Sequence, residues 1–305
     1  MALETMTLSL STSAMLSSDF PIDFIEFDVQ QTEMSFQGVL VEKRVTEMAL
    51  HEFLSYGPQK DGTNVKPMLR KTKDGRISEW KVEKDDPLCT LEDAFLNVKH
   101  SLGFNIELKF DDNTVYGEGE LRQTLDNILT VVNEHSKNQP IIFSSFHPDA
   151  ARLIRNMQRS YPVFFLTNGG CEIYKDVRRN SLDEAIKLCK ESGLQGIVSE
   201  VKAILRTPNA ITRVKDAKLS LLSYGQLNNV VEVIYLQYLM GVEGVIVDMV
   251  KDISKAIANI EVTNEDDCEG EDERKCLIRF GEERKKVEIT KDMITLLNKF
   301  VPKLL

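Results

Sequence analysis

Residues 24–29 read FIEFDV, and this alternation of apolar and acidic residues decides the fold of the chain. Successive side chains of a β-strand point to opposite faces of the sheet. The apolar residues therefore share one face, and the acids Glu26 and Asp28 share the other. The stretch predicts a strand whose apolar face packs against helices and whose opposite face carries two carboxylates.

The same alternation returns at residues 104–110, which read FNIELKF and place Glu107 and Lys109 on one face. Both polar pairs fall toward the carboxyl ends of their strands, where the active sites of parallel barrels lie. Taken alone, each pair is typical of a half-exposed strand, and only the two together favour a site. Three converging carboxylates are costly unless a hard divalent cation neutralises them. A cation beside a lysine indicates electrostatic catalysis on an anionic phosphate ester.

Strand-like apolar runs alternate with amphipathic helical stretches along the chain. The runs are residues 22–29, 104–110, 140–145, 162–166, 196–199, 219–223 and 244–247. This alternation predicts a parallel sheet, either open and doubly wound or closed into a barrel. No glycine-rich phosphate loop follows the first strand, which counts against a dinucleotide-binding fold. We therefore predict an α/β (β/α)₈ barrel that is incomplete, because the first of its eight strands is missing.

Helix signals lie between these strands. Thr90 and Asp93 form a predicted capping box that opens a helix to about Leu102, with Gly103 as its stop. The other helical patterns cover residues 118–135, 181–191, 229–240 and 250–260. Gly193 is the predicted stop of the helix at 181–191.

The sequence predicts one barrel domain with less regular ends. The barrel spans residues 20–260 and contains a polar insertion at 57–88. Residues 1–19 are a predicted, poorly ordered leader. An acidic linker at 261–288 and a C-terminal helix at 289–305 complete the chain.

The composition excludes several classes of partner. A net charge of −10 counts against nucleic acid, because binding its phosphates needs a basic field. No apolar run approaches the length of a membrane span. The five cysteines are widely spaced and lack zinc-site or redox spacing, which favours reduced thiols. The leader is rich in Ser and Thr but has no arginine and no continuous apolar core, so we predict a cytoplasmic or plastid protein that is not secreted.

The two acidic strands resemble the metal-binding strands of the glycerophosphodiester phosphodiesterase family. Their sequence is most similar to that of the plant branch of this family. Later strands match as well, and the resemblance runs from about residue 19 to residue 260. It implies a (β/α)₈ barrel that hydrolyses glycerophosphodiesters such as glycerophosphocholine to sn-glycerol 3-phosphate and an alcohol, in lipid and glycerol metabolism. It further implies Mg²⁺ or Ca²⁺ on Glu26, Asp28 and Glu107, with Lys109 on the substrate phosphate.

The chain departs from this family at its two catalytic histidines, the general acid and base. The family carries one in a His-Arg-Gly motif that ends the first strand and one in a His-Asp motif after the Glu-x-Asp strand. Here no histidine precedes Glu26, and residues 30–38 contain none. Of the four histidines in the chain, only His147 is placed at the predicted barrel mouth. It is a weak catalytic candidate that also suits a helix cap.

Three interpretations follow from these departures. The chain is an impaired phosphodiesterase, or it is a non-catalytic member or truncated isoform that binds metal and glycerophosphodiester. A third reading is an interaction protein that uses the acidic run at residues 265–273 and the terminal helix.

Overall fold

The computed structural model describes residues 5–7, 22–31, 49–54, 69–71, 77–79, 88–112 and 114–255. These residues fall into two compact units, Met1–Phe143 and Ser144–Leu305. The predicted linker at 261–288 and the predicted C-terminal helix at 289–305 lie outside the described residues. So do most of the predicted leader and insertion.

The first unit is built on a parallel pair of strands. Its elements are β1 (Thr5–Thr7), β2 (Phe24–Gln31), α1 (Leu50–Phe53), β3 (Leu69–Lys71), β4 (Ile77–Glu79), β5 (Cys89–Thr90), α2 (Leu91–Asn97), β6 (Gly103–Leu108), α3 (Glu118–His135) and β7 (Ile141–Ser145), whose last two residues open the second unit. β2 and β6 run parallel. β1 lies antiparallel between the end of β2 and β5, so it is not the missing parallel strand. β3 and β4 form a separate antiparallel pair within the predicted insertion.

The apolar face of this strand pair packs against helix α2. The ring of Phe27 on β2 meets Phe104 on β6 edge to face, with centroids 4.9 Å apart. Phe104 in turn lies 5.1 Å from Phe95 of α2. Phe104 and Ile106 are fully buried, as the predicted alternation requires. The prediction that apolar residues of both strands face the helices is confirmed.

The predicted capping box at the start of α2 is present. Thr90 Oγ1 accepts a hydrogen bond from the Asp93 backbone N–H at 3.1 Å, and an Asp93 carboxylate oxygen accepts one from the Thr90 N–H at 3.0 Å. The predicted end near Leu102 is wrong, because extended backbone at Val98 ends the helix at Asn97. Gly103 does not stop the helix; it begins β6 by donating to Asp23 O at 2.8 Å.

The second unit repeats the strand–helix alternation. It contains α4 (Pro148–Met157), β8 (Val163–Thr167), α5 (Leu182–Ser192), β9 (Gly196–Glu200), α6 (Val201–Arg206), α7 (Asn209–Asp216), β10 (Ser220–Tyr224), α8 (Val231–Met240) and β11 (Gly244–Val245). β8, β9, β10 and β11 pair in that order and run parallel. Ser181 caps α5, and Gly193 ends it in the left-handed region as predicted. In the described part of the chain, all seven predicted barrel strands are present.

Candidate metal centre

The parallel register of β2 and β6 stacks polar residues on one face. Glu26 is paired with Asn105, and Asp28 with Glu107. Paired residues of neighbouring parallel strands share a face, and so do residues two apart on one strand. We call the face that carries these four residues the acid face.

An aromatic ring lies at the amino end of the acid face. Phe24 is paired with Gly103, and a Cβ atom built on Gly103 would lie 2.3 Å from the Phe24 ring. The absent side chain at residue 103 therefore makes room for the ring. The acids occupy the next two layers toward the carboxyl ends of the strands.

Three carboxylates converge there as the sequence predicted. One oxygen each of Glu26, Asp28 and Glu107 lies within 4.8 Å of the others. Glu107 is buried, with 5% of its surface exposed. Lys109 follows the end of β6, where its backbone N–H donates to Val29 O at 3.0 Å. Its Nζ lies 2.5 Å from Glu107 Oε1 and 3.4 Å from Asp28 Oδ1.

Negative charge is concentrated on the acid face, where three carboxylates lie beside one lysine ammonium. Burial, together with the neighbouring charges of Asp28 and Glu26, raises the pKa of Glu107 from 4.5 to about 9, although Lys109 opposes the shift. Burial lowers the pKa of Lys109, but the carboxylates of Glu107 and Asp28 outweigh it and leave the pKa raised. A group of oxygen donors with excess negative charge is the donor set that hard divalent cations bind. The residues present therefore fit such a cation.

His147 caps helix α4. Its Nδ1 accepts the backbone N–H of Ala150 at 3.2 Å, and its own N–H donates to Ser145 Oγ at 3.1 Å. Burial, with help from Arg178 and Arg179, lowers the pKa of His147 below 6.5 despite Asp149 nearby. The ring is therefore neutral at pH 7, with its proton on Nε2 because Nδ1 is an acceptor. It cannot take up a proton without giving up the cap, which makes it a poor general base.

We expect His147→Ala to lower the free energy of unfolding by about 1 kcal/mol, because an N-cap acceptor is lost. His147→Asn keeps a capping acceptor and should restore most of that loss in urea denaturation. A histidine whose pKa is lowered by folding loses stability as the pH falls through about 6.5. The parent should therefore lose more stability than the Asn variant between pH 7 and pH 5. A folded Asn variant with at least tenfold lower turnover would show that His147 takes part in catalysis.

The other three histidines lie at the surface of the first unit, fully or partly exposed. His51 and His100 are exposed, and His100 Nε2 lies 3.3 Å from Lys137 Nζ. His135, at the end of α3, lies 3.7 Å from Glu92. His100 precedes β6, at the end of that strand opposite Glu107 and Lys109.

A charged clamp in the second unit was not predicted from the sequence. Arg178 donates both terminal nitrogens to Asp149 at 2.9 and 3.0 Å, and its Nε donates to Asp176 at 2.9 Å. These hydrogen bonds hold the pKa of both aspartates below the usual range. The clamp joins the start of α4 to the loop after β8. Its partners are 27 residues apart in the chain, so spacing alone gave no signal for it.

An aromatic cluster also lies beyond the carboxyl ends of strands in the second unit. The Arg179 guanidinium sits 3.7 Å from the centroid of the Tyr174 ring. Asn168 joins Tyr174 to Tyr224 through its side-chain amide, and Tyr224 meets Phe146 edge to face. Because the polar and aromatic groups of this cluster contact one another, we interpret the cluster as structural. It holds the loop after β8 in place.

Asn105 is the residue of the acid face that sequence reasoning missed. Its side chain is 3% exposed, and neither its Oδ1 nor its Nδ2 has a hydrogen-bond partner among the described residues. An unsatisfied buried amide costs about 1–3 kcal/mol. The alternation at residues 104–110 could have placed it beside Glu107, but the sequence carries no sign of its missing partners.

The chain is similar in sequence to a known protein family and to two plant proteins. The model of the "Glycerophosphoryl diester phosphodiesterase family" matches residues 36–252. "Glycerophosphodiester phosphodiesterase GDPD3" of Arabidopsis thaliana is 78% identical over 370 aligned positions that cover all of both chains. "Glycerophosphodiester phosphodiesterase GDPD1, chloroplastic" of the same plant is 54% identical over 83% of this chain and 74% of its own. In the described part of this chain, no helix is long and apolar enough to cross a membrane.

A solved structure supports the fold. The structure of a putative glycerophosphoryl diester phosphodiesterase from Silicibacter pomeroyi has a TM-score of 0.56 and 14% identity, and it covers 82% of this chain and 87% of its own. The predicted fold class, an incomplete (β/α)₈ barrel, is confirmed.

Two details of the matches bear on the site. The family match includes Glu107 and Lys109 but begins after Glu26 and Asp28. The 78%-identical relative aligns over 370 positions with the 305 residues of this chain, so at least 65 positions face gaps in it. The match over residues 36–252 and the identity over the full length show that this chain belongs to the glycerophosphoryl diester phosphodiesterase family of hydrolases.

Proposed function

We propose that the chain is a metal-dependent glycerophosphodiester phosphodiesterase whose turnover is impaired. The observation that carries the proposal is the group of three carboxylates within 4.8 Å of one another, with a lysine ammonium against two of them. Its relatives are named for the same hydrolysis. The substrate class is a small glycerophosphodiester such as glycerophosphocholine, and the products are sn-glycerol 3-phosphate and an alcohol.

The three acids of the acid face and the neighbouring Lys109 have distinct parts in this proposal. Glu26, Asp28 and Glu107 would hold Mg²⁺ or Ca²⁺, which when bound supplies Lewis-acid stabilisation of the phosphoryl oxygens. Lys109 holds a phosphate oxygen through a charge-assisted hydrogen bond. Its two carboxylate contacts already fix its ammonium beside the acids. Binding and orientation of the phosphodiester therefore do not require a histidine.

Proton transfer is the step that lacks a residue. The resemblance to the family implies two catalytic histidines, a general acid and a general base, near the first strands. The chain has no histidine before residue 51. His147 is engaged as a cap through Nδ1. We therefore expect the chain to bind metal and substrate and to turn over slowly, with water replacing the missing acid and base.

The test joins binding to turnover. Isothermal titration calorimetry should detect Mg²⁺ or Ca²⁺ binding to the parent and none to Glu107→Gln. Release of sn-glycerol 3-phosphate from glycerophosphocholine should depend on the cation, stop with EDTA and exceed the Glu107→Gln background. Metal binding without turnover would favour the alternative, a non-catalytic member or truncated isoform that binds metal and glycerophosphodiester. Absence of metal binding by folded protein would refute both.

The compartment is a separate question, for which the sequence predicts the cytoplasm or a plastid. One relative carries "chloroplastic" in its name, which supports the plastid alternative. A fluorescent fusion that keeps residues 1–19 at a free amino end, expressed in leaf cells, distinguishes the two.

A further inference from the structure

We propose that Asn105 is a positioning residue of the cation site, which holds a carboxylate of the acid face in the orientation that binds the metal. The inference rests on the proposed function. It starts from an amide that is 3% exposed and has no hydrogen-bond partner for either polar atom among the described residues.

On β2 and β6, few groups near this amide could form a hydrogen bond with it. Toward the amino end of the strands lies the apolar ring of Phe24, which occupies the space above Gly103. Beside it on β2 lies Glu26, its partner in the register, and two residues along β6 lies Glu107. Neighbouring side chains on one face of a sheet stand about 5–7 Å apart, which is within reach of a side-chain amide. Among the residues of β2 and β6 on this face, the nearest polar groups are therefore the proposed metal ligands.

The chemistry of the two groups is complementary. An ionised carboxylate only accepts hydrogen bonds, and an asparagine amide supplies two N–H donors. With a cation held by the carboxylates, Nδ2 of Asn105 would donate a hydrogen bond to the carboxylate of Glu26 or Glu107. Such a bond would orient that carboxylate for cation binding and offset part of its charge. The buried amide without a partner supplies the donor side of this arrangement.

The variant Asn105→Leu keeps the shape of the side chain and removes both polar atoms. We expect its affinity for Mg²⁺ and Ca²⁺, measured by calorimetry with the chloride salts, to fall by about 10- to 100-fold, as is usual when a metal ligand loses its hydrogen-bond partner. In EDTA its melting temperature should rise by about 2–4 °C, because a buried amide without a partner is removed. A merely structural role would not weaken cation binding while stabilising the cation-free protein.

Asn127 provides a matched control. It lies in α3, and its Nδ2 is also buried without a partner among the described residues. Asn127→Ala should leave the cation affinity unchanged. If Asn105→Leu prevents folding, Asn105→Ala takes its place and should show the same loss of affinity.

The outcomes separate the inference from the function on which it rests. A parent protein that binds no cation defeats the proposed function and the inference with it. A parent that binds, beside Asn105 variants with the same dissociation constant, overturns the inference alone. Equal losses in the Asn105 and Asn127 variants would also overturn it, since the effect would not be specific to the acid face.

Discussion

The purified chain should hydrolyse glycerophosphocholine about 10²- to 10⁴-fold more slowly than its 78%-identical Arabidopsis relative under the same conditions. A positioned general acid or base commonly contributes that factor. Groups that act as one unit do not add, so removing two of them costs little more than removing one. In the proposed mechanism, the remaining rate would come from the cation and Lys109, which would stabilise charge on the phosphate without transferring a proton.

The assay should compare the two proteins side by side with Mg²⁺, with Ca²⁺ and with EDTA. Release of sn-glycerol 3-phosphate is the readout, and Glu107→Gln of this chain gives the background. Circular dichroism of each sample establishes that it is folded. Turnover within tenfold of the relative would contradict the prediction and would make the His147→Asn variant the next protein to assay.

Restoring the two missing histidines tests whether their loss explains the slow turnover. The His-Arg-Gly and His-Asp motifs implied by the family resemblance would be introduced before Glu26 and between Gln30 and Gly38, the two places where this chain lacks them. Restoring both histidines should raise turnover at least 10²-fold. A folded chimera that binds the cation but gains no activity would mean that the defect lies outside proton transfer.

The sequence predicted the acid face because strand periodicity is a local property. Alternation at residues 24–29 and 104–110 assigned each side chain to a face, and the structure brings Glu26, Asp28 and Glu107 together. The capping box at Thr90 was predictable for the same reason, because its two hydrogen bonds join residues three apart.

Features that depend on packing between distant segments were not predicted. Gly103 looked like a helix stop, yet its missing side chain is required by the ring of Phe24 across the strand pair. The strand Thr5–Thr7 lies against the end of β2 and against β5, although its own sequence gives no sign of either partner. Asn105 shows the same limit, since only the structure reveals that a buried amide has no partner.

Removing Lys109, the lysine beside the acid face, should strengthen cation binding and weaken phosphate binding. Lys109 Nζ lies 2.5 Å from Glu107 Oε1 and 3.4 Å from Asp28 Oδ1, so a cation that binds these acids must share them with an ammonium or displace it. Repulsion between two positive charges a few ångströms apart at a half-buried site exceeds roughly 1 kcal/mol. We therefore expect Lys109→Met to bind Mg²⁺ and Ca²⁺ about tenfold more tightly by calorimetry.

The same variant should lose affinity for sn-glycerol 3-phosphate by about 10- to 100-fold, because a charge-assisted hydrogen bond to the phosphate is removed. Without the ammonium, three carboxylates face one another, so the melting temperature in EDTA should fall and the rise on adding cation should grow. Lys99→Met, an exposed lysine in the loop before β6, is the matched control and should change none of these quantities. Damage to the fold would weaken both ligands together, whereas competition for shared carboxylates predicts opposite signs. Unchanged cation affinity in a folded Lys109→Met protein would mean that the lysine and the metal do not share the acid face.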